Sequence, residues 1–168
     1  MPINTKKVFV VHGRNWRLRD HIIAFLRAIG LSPISWGEAI KLTGIGAPYI
    51  GQALDAALGE AQAVVVLLTG DDEIQPGDDY AQDDSPYQPR ANVLFEAGMA
   101  FTRLPSRTIL VELENIWPCD ALAGRYRIRL SDQFAHRKAF IRSLQNAGCA
   151  IDLPSDEVIR SIGDFGIL

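Results

Sequence analysis

Two runs in this chain are apolar at every position: Val8-Phe9-Val10-Val11 and Ala63-Val64-Val65-Val66-Leu67-Leu68. A strand without alternation has no face for water, so it needs cover on both sides. Helical spacing lies between them, at Leu18, Ile22, Leu26 and Ile29 with Gly30 as the stop, and again at Ile50, Leu54, Ala57, Leu58 and Ala61. Further strands are expected at Ile34-Ser35-Trp36 and Thr108-Ile109-Leu110-Val111. Tyr126, Ile128 and Leu130 alternate with Arg125, Arg127 and Arg129, which reads as a half-exposed edge strand. A last helix is expected over about Phe134 to Ala147. Strands alternating with helices define an α/β fold, with a parallel sheet covered on both faces. Residues 1–150 read as one domain, and 151–168 as a tail or a linker with one weak helical patch.

With 168 residues, 48% hydrophobic and 22% charged, the chain supports a single real core. Its net charge of -3 argues against nucleic acid as a partner, because phosphate backbones select basic surfaces. Cys119 and Cys149 lack CxxC spacing, so neither a zinc site nor a disulfide framework is expected. The N-terminal residues lack the apolar core of a signal peptide, and no apolar run is long enough for a bilayer. The expectation is a cytoplasmic protein without membrane contact.

The stretch Asn92-Val93-Leu94-Phe95-Glu96-Ala97-Gly98-Met99-Ala100-Phe101 reads as a helix apolar nearly all round, hence buried. Glu96 is its one ionisable residue, and Asn92 lies one turn earlier on the same face. A carboxylate among Leu, Phe and Met is costly, which makes Glu96 a site candidate. The competing reading is an acid held structurally by the helix dipole or an Arg. In an open parallel sheet, ligands bind beyond the carboxyl ends of the strands. His12-Gly13-Arg14-Asn15, Trp36-Gly37-Glu38 and Thr69-Gly70 are expected there. No GxGxxG follows the first strand, no P-loop lysine follows the Gly44/Gly46/Gly51 segment, and no Gly-x-Ser-x-Gly elbow occurs. Hydride-transferring, P-loop and serine-hydrolase chemistries are poor fits. Arg14 suits a phosphate clamp and Trp36 suits stacking on a base, although taken singly an exposed loop Arg and a core Trp are the simpler readings. Seven acids in residues 71–84 fit no calcium loop and read as a solvated segment rather than a metal site.

Several separated motifs occur in one order: Val8 to Arg14, Trp36-Gly37-Glu38-Ala39 with Thr43-Gly44, Ala61 to Thr69, and Arg90 to Ala100. Together they resemble the bacterial TIR-like domains that serve as effectors in anti-phage defence, including TIR–STING proteins and effectors activated by cyclic pyrimidine nucleotides. The resemblance covers about residues 5–150. It implies a flavodoxin-like three-layer sandwich around a five-stranded, mostly parallel sheet. It also implies cleavage of NAD⁺, as substrate rather than cofactor, to nicotinamide and an ADP-ribose product. On this resemblance the catalytic glutamate is Glu96. The loop Gly37 to Tyr49 is the segment that covers the ligand and packs on a neighbouring copy. His12, Gly13, Arg14, Trp36, Gly44, Tyr49 and Asn92 are the expected substrate contacts, with no metal. A homo-oligomer and a cyclic-nucleotide-sensing domain or partner are implied as well. Two other readings stand beside it: a non-enzymatic TIR module signalling by contact, and a nucleoside deoxyribosyltransferase-like enzyme.

Overall fold

The computed structural model describes residues 2–75, 77, 85–117, 119 and 122–166. The central sheet comprises β1 (Lys7–Val11), β2 (Ser32–Ile34), β3 (Ala63–Leu68), β6 (Thr108–Glu112) and β7 (Arg127–Arg129). Their order is β2-β1-β3-β6-β7, and every pairing is parallel. A separate two-residue antiparallel ladder joins β4 (Asp72–Glu73) to β5 (Tyr87–Gln88). The helices are α1 (Trp16–Ala28), α2 (Trp36–Leu42), α3 (Ile50–Glu60), α4 (Ala91–Arg103), α5 (Phe134–Asn146) and α6 (Asp156–Ser161). This is the covered parallel α/β sheet expected from the residue pattern, in the flavodoxin-like arrangement that the resemblance implies.

Strand side chains alternate between faces, so each apolar run feeds two cores. Val8, Val10, Val65, Leu67, Ile109 and Val111 meet Leu18, Ile22 and Phe25 of α1 and Phe140 and Leu144 of α5. Phe9, Val11, Val64, Val66, Leu68 and Leu110 meet Leu54 and Leu58 of α3 and Val93, Ala97 and Ala100 of α4. All six residues of β3 are buried. Chain order reverses between β1 and β3, and the C-terminal ends of β1, β2 and β3 open on one edge.

Three local expectations are corrected. Trp36 does not continue β2; Ser35 caps α2, its Oγ accepting from the Glu38 N–H at 3.1 Å, so Trp36 opens a helix. The first half of segment 37–49 is therefore helical, and only the part from Thr43 is loop. Tyr126 is 81% exposed and precedes β7, in which only Ile128 turns inward. Arg127 and Arg129 pair with Glu112 of β6 at 3.3 and 3.2 Å, which secures this edge strand.

The C-terminal segment packs on α5. Phe165 is 1% exposed and meets Phe25 edge-on at 5.7 Å. Arg137, also 1% exposed, donates to the carbonyls of Ile159 (3.0 Å), Ile162 and Gly163 (2.7 Å), and to Asp132 Oδ1 (2.6 Å). Its guanidinium lies 4.5 Å from the Phe165 ring centre. A buried cation is tolerable because these acceptors replace water, although its Nε has no partner. Replacing Arg137 with Ala strands three carbonyls and empties a buried space, while the half-exposed Asp132 keeps the Phe165 N–H. Urea denaturation is expected to show a loss of about 3–5 kcal/mol.

Candidate functional site

A cleft of about 740 Å³ opens at the carboxyl ends of β1 and β2. Glu96, Asn92 and Arg90 approach it from α4, while His12, Gly13 and Trp16 come from the end of β1 and the start of α1. Trp36 and Ile50 complete the rim, with Phe9 and Ile34 lining it as well. Each group is held by its own local structure. Asn15 caps α1 by accepting from the Leu18 N–H at 3.0 Å, which starts the helix at Trp16. The His12 and Trp16 rings then meet edge-on at 5.3 Å, and the Arg19 guanidinium covers Trp16 at 4.8 Å. On the opposite rim, Glu38 pairs with Lys7, tying α2 to β1 and fixing Trp36, which is 42% exposed.

Gly13 is required by a close approach. A Cβ there would sit 1.8 Å from Asp71 Oδ2, which also accepts from Thr69 Oγ1 at 2.8 Å and the Arg14 N–H at 3.3 Å. The first acid of the acidic segment is thus turned inward to organise the crevice between β1 and β3. Glu114 does the same next door, accepting from the Gly70 N–H at 2.8 Å. Asp78, Asp79, Asp83 and Asp84 lie outside the described residues. Among the described residues no cluster of His, Cys, Asp and Glu has the arrangement of a metal site.

Glu96 sits on the flank of α4. The helix is not buried all round as its composition predicts: it docks through Val93, Ala97 and Ala100, while Asn92 and Gly98 are exposed and Phe95 is 69% exposed. The reason is geometric, since one layer of helices offers each member a single sheet-facing stripe. Glu96 falls between that stripe and water, at the cleft. Burial pushes its carboxyl above the usual carboxylate range, and the Asn92 side chain one turn earlier opposes this by hydrogen bonding to it.

The cleft gathers His12, Gly13, Trp36, Asn92 and Glu96 of the residues expected from the sequence. It does not gather Arg14, Gly44 or Tyr49. Arg14 is exposed beyond the Asp71 contact, and Gly44, at φ +65°, turns the chain after α2. Tyr49 is 82% exposed at the start of α3, where its N–H donates to Gln52 Oε1 at 2.9 Å. The cleft also holds Trp16, Arg19, Arg27 and Arg90, which sequence reasoning did not select. Trp16 had a signal, lying five residues after the last residue of β1.

Fold and cleft together define a doubly covered α/β domain that presents one half-buried carboxylate to a ligand-sized space. Residues 7–132 match the family described as CAP12/Pycsar effector protein, TIR domain, and the chain belongs to that family of bacterial anti-phage defence effectors. It is also similar to the uncharacterized protein YuaY of Escherichia coli K12, with 28% identity over 152 residues. That match takes in 88% of this chain and 48% of the relative, so the chain spans about half of the relative's length. No solved structure matches. Among the described residues no helix is long and apolar enough to cross a membrane.

The raised carboxyl of Glu96 gives a stability prediction. A folded-state pKa above the unfolded value means that the native protein holds the proton more tightly, so stability falls as pH rises from the ordinary Glu value through the raised one. Glu96→Gln is therefore expected to be more stable than the parent at pH 7. Thermal melts should show this gain shrinking to nothing as the pH drops below the ordinary carboxyl range.

Proposed function

We propose that this domain cleaves NAD⁺ to nicotinamide and an ADP-ribose product, with Glu96 as the catalytic carboxylate. The observation that carries this reading is Glu96 itself, a desolvated acid at a cleft with the Asn92 side chain as its hydrogen-bonding neighbour. A module that worked only as a scaffold gains nothing from that desolvation cost.

The reaction needs one carboxylate. Glycoside hydrolysis ordinarily requires an acid to protonate the leaving oxygen and a second carboxylate opposite it. In NAD⁺ the leaving group is a pyridinium. When the bond from ribose C1′ to the ring nitrogen breaks, the electron pair goes to that nitrogen and nicotinamide departs neutral. Positive charge grows on C1′ and the ring oxygen. A fixed anion beside the ribose stabilises this charge more in the transition state than in the ground state. Water then adds at C1′ and releases its proton. Trp36 and Ile50 supply apolar walls against which the nicotinamide ring packs, and Asn92 orients the carboxylate.

Assembly belongs to this proposal. Leu42, Ile45, Tyr49 and Ile50 are exposed on and after α2, and 37–49 is the segment through which copies of the domain would associate. Specific activity is accordingly expected to fall on dilution; rates per subunit that stay high and flat would contradict assembly-dependent catalysis.

Chromatographic detection of nicotinamide, at high protein concentration, tests the reaction. Glu96→Gln keeps shape and removes charge, and it is expected to lower kcat by about 10²–10³-fold. Release from wild type should decline on the acid side through a pH above the ordinary Glu range, because the carboxyl must be ionised. Wild-type release from the glutamine variant would exclude Glu96. No release from assembled wild type would favour a TIR module that signals by contact alone.

A further inference from the structure

The cleft carries a second charge that the sequence reading did not use. Arg90 caps the start of α4 and lines the same cleft as Asn92 and Glu96. It is half-buried, and no hydrogen bond or ion pair to its guanidinium occurs among the described residues. Its backbone carbonyl is engaged, accepting from the N–H groups of Val93 (3.0 Å) and Leu94 (3.3 Å), so the residue is held at the helix start while its side chain stays free. The other cleft cations differ. Arg19 is tied to Asp20 at 2.6 Å and lies over Trp16, Arg27 is exposed on α1, and Arg14 is outside the cleft.

Arg90 and Glu96 do not satisfy one another. Six residues along a helix put their Cα atoms roughly 9 Å apart on the axis. The influences on Glu96 are burial and Asn92, and no cation is among them. One wall of the cleft therefore presents a carboxyl that no cation answers and, more than a turn away, a guanidinium without a partner among the described residues. Leaving either partly desolvated charge unmatched is costly, and a ligand of complementary charges relieves both at once.

Resting on the NAD⁺-cleaving reading, we infer that Arg90 is the diphosphate-binding residue of this cleft and makes the domain selective for nucleotides over phosphate-free nucleosides. The ligand class that fits is positive at one end and anionic a ribose away. A pyridinium ribosyl diphosphate has that form: its cationic ring and C1′ lie toward Glu96, and its phosphates lie toward the guanidinium fork. This assigns to Arg90 the phosphate contact that sequence reasoning had given to Arg14.

The test uses two independent measurements on the whole chain. Calorimetric titration of ADP-ribose into Glu96→Gln protein, with and without Arg90→Ala, reads the phosphate contact in the absence of turnover. Loss of one charge-assisted contact is expected to weaken ADP-ribose roughly 10–100-fold. Arg90→Lys, which keeps the charge but not the fork, should fall between the two and guards against misfolding of the alanine variant. The second measurement is the ratio of kcat/KM for NAD⁺ to that for nicotinamide riboside, which is expected to drop at least about tenfold in Arg90→Ala, mainly through KM for NAD⁺. Unweakened ADP-ribose binding by Arg90→Ala overturns the inference, whatever the turnover. If wild type released no nicotinamide from either substrate yet bound ADP-ribose through Arg90, the hydrolase reading would fall and the phosphate contact would stand.

Discussion

The structure depends on β3 being apolar and buried at all six of its positions. A strand of that kind is stable only in the middle of a sheet with helices on both sides, and each neighbouring feature follows from its cover. Its Val65 and Leu67 face call for α1 and α5, and its Val64, Val66 and Leu68 face calls for α3 and α4. Ala97 and Ala100 keep the docking stripe of α4 small, so the helix lies close on the sheet. That packing brings the first turns of α4 beside the carboxyl ends of β1 and β2. The position of Glu96 is therefore a by-product of how the core closes.

Two charges in this domain meet partial or full burial in opposite ways. Arg137 is enclosed, and five neighbouring groups answer it: three carbonyls, the Asp132 carboxylate and the Phe165 ring. Asp132 is in turn held below the ordinary carboxylate range, first by the Phe165 N–H and then by Arg137. This network joins α5 to the C-terminal segment beyond the family-matched residues. Glu96 receives no comparable support, and burial raises its carboxyl. One buried charge is thus answered at every donor nitrogen but Nε, while a second, half-buried charge is left short of partners at a cleft.

The loops at the carboxyl edge show how the same residue types serve structure and site. Asp71 takes up the Thr69 hydroxyl and the Arg14 N–H, which occupies the crevice between β1 and β3, and Glu114, from beyond β6, takes up the Gly70 N–H beside it. The open space is displaced toward β2, between Trp16 and Trp36. The start of α4 thereby faces the open space.

Local pattern was enough for β1, β3 and β6, the helix stripes of α1 and α3, the alternating layers and the nomination of Glu96 as a candidate. These depend on periodicity and on the cost of a charge among apolar neighbours, both of which are written along the chain. The family resemblance added what periodicity does not contain, namely a defence effector of the TIR class. Tertiary structure decided the rest. Phe95 is exposed because only one stripe of α4 meets the sheet, which a count of apolar residues does not reveal. Trp36 opens a helix because Ser35 caps it. Arg14 leaves the cleft because Asp71 holds its backbone from 57 residues away, and Arg137 is buried because acceptors from residues 159–163 fold back onto it. Arg90 enters the cleft because α4 starts there. The Ser35 cap is a local signal, but for Arg14 and Arg137 the deciding partner is distant in sequence, and only the folded chain brings it within a hydrogen bond.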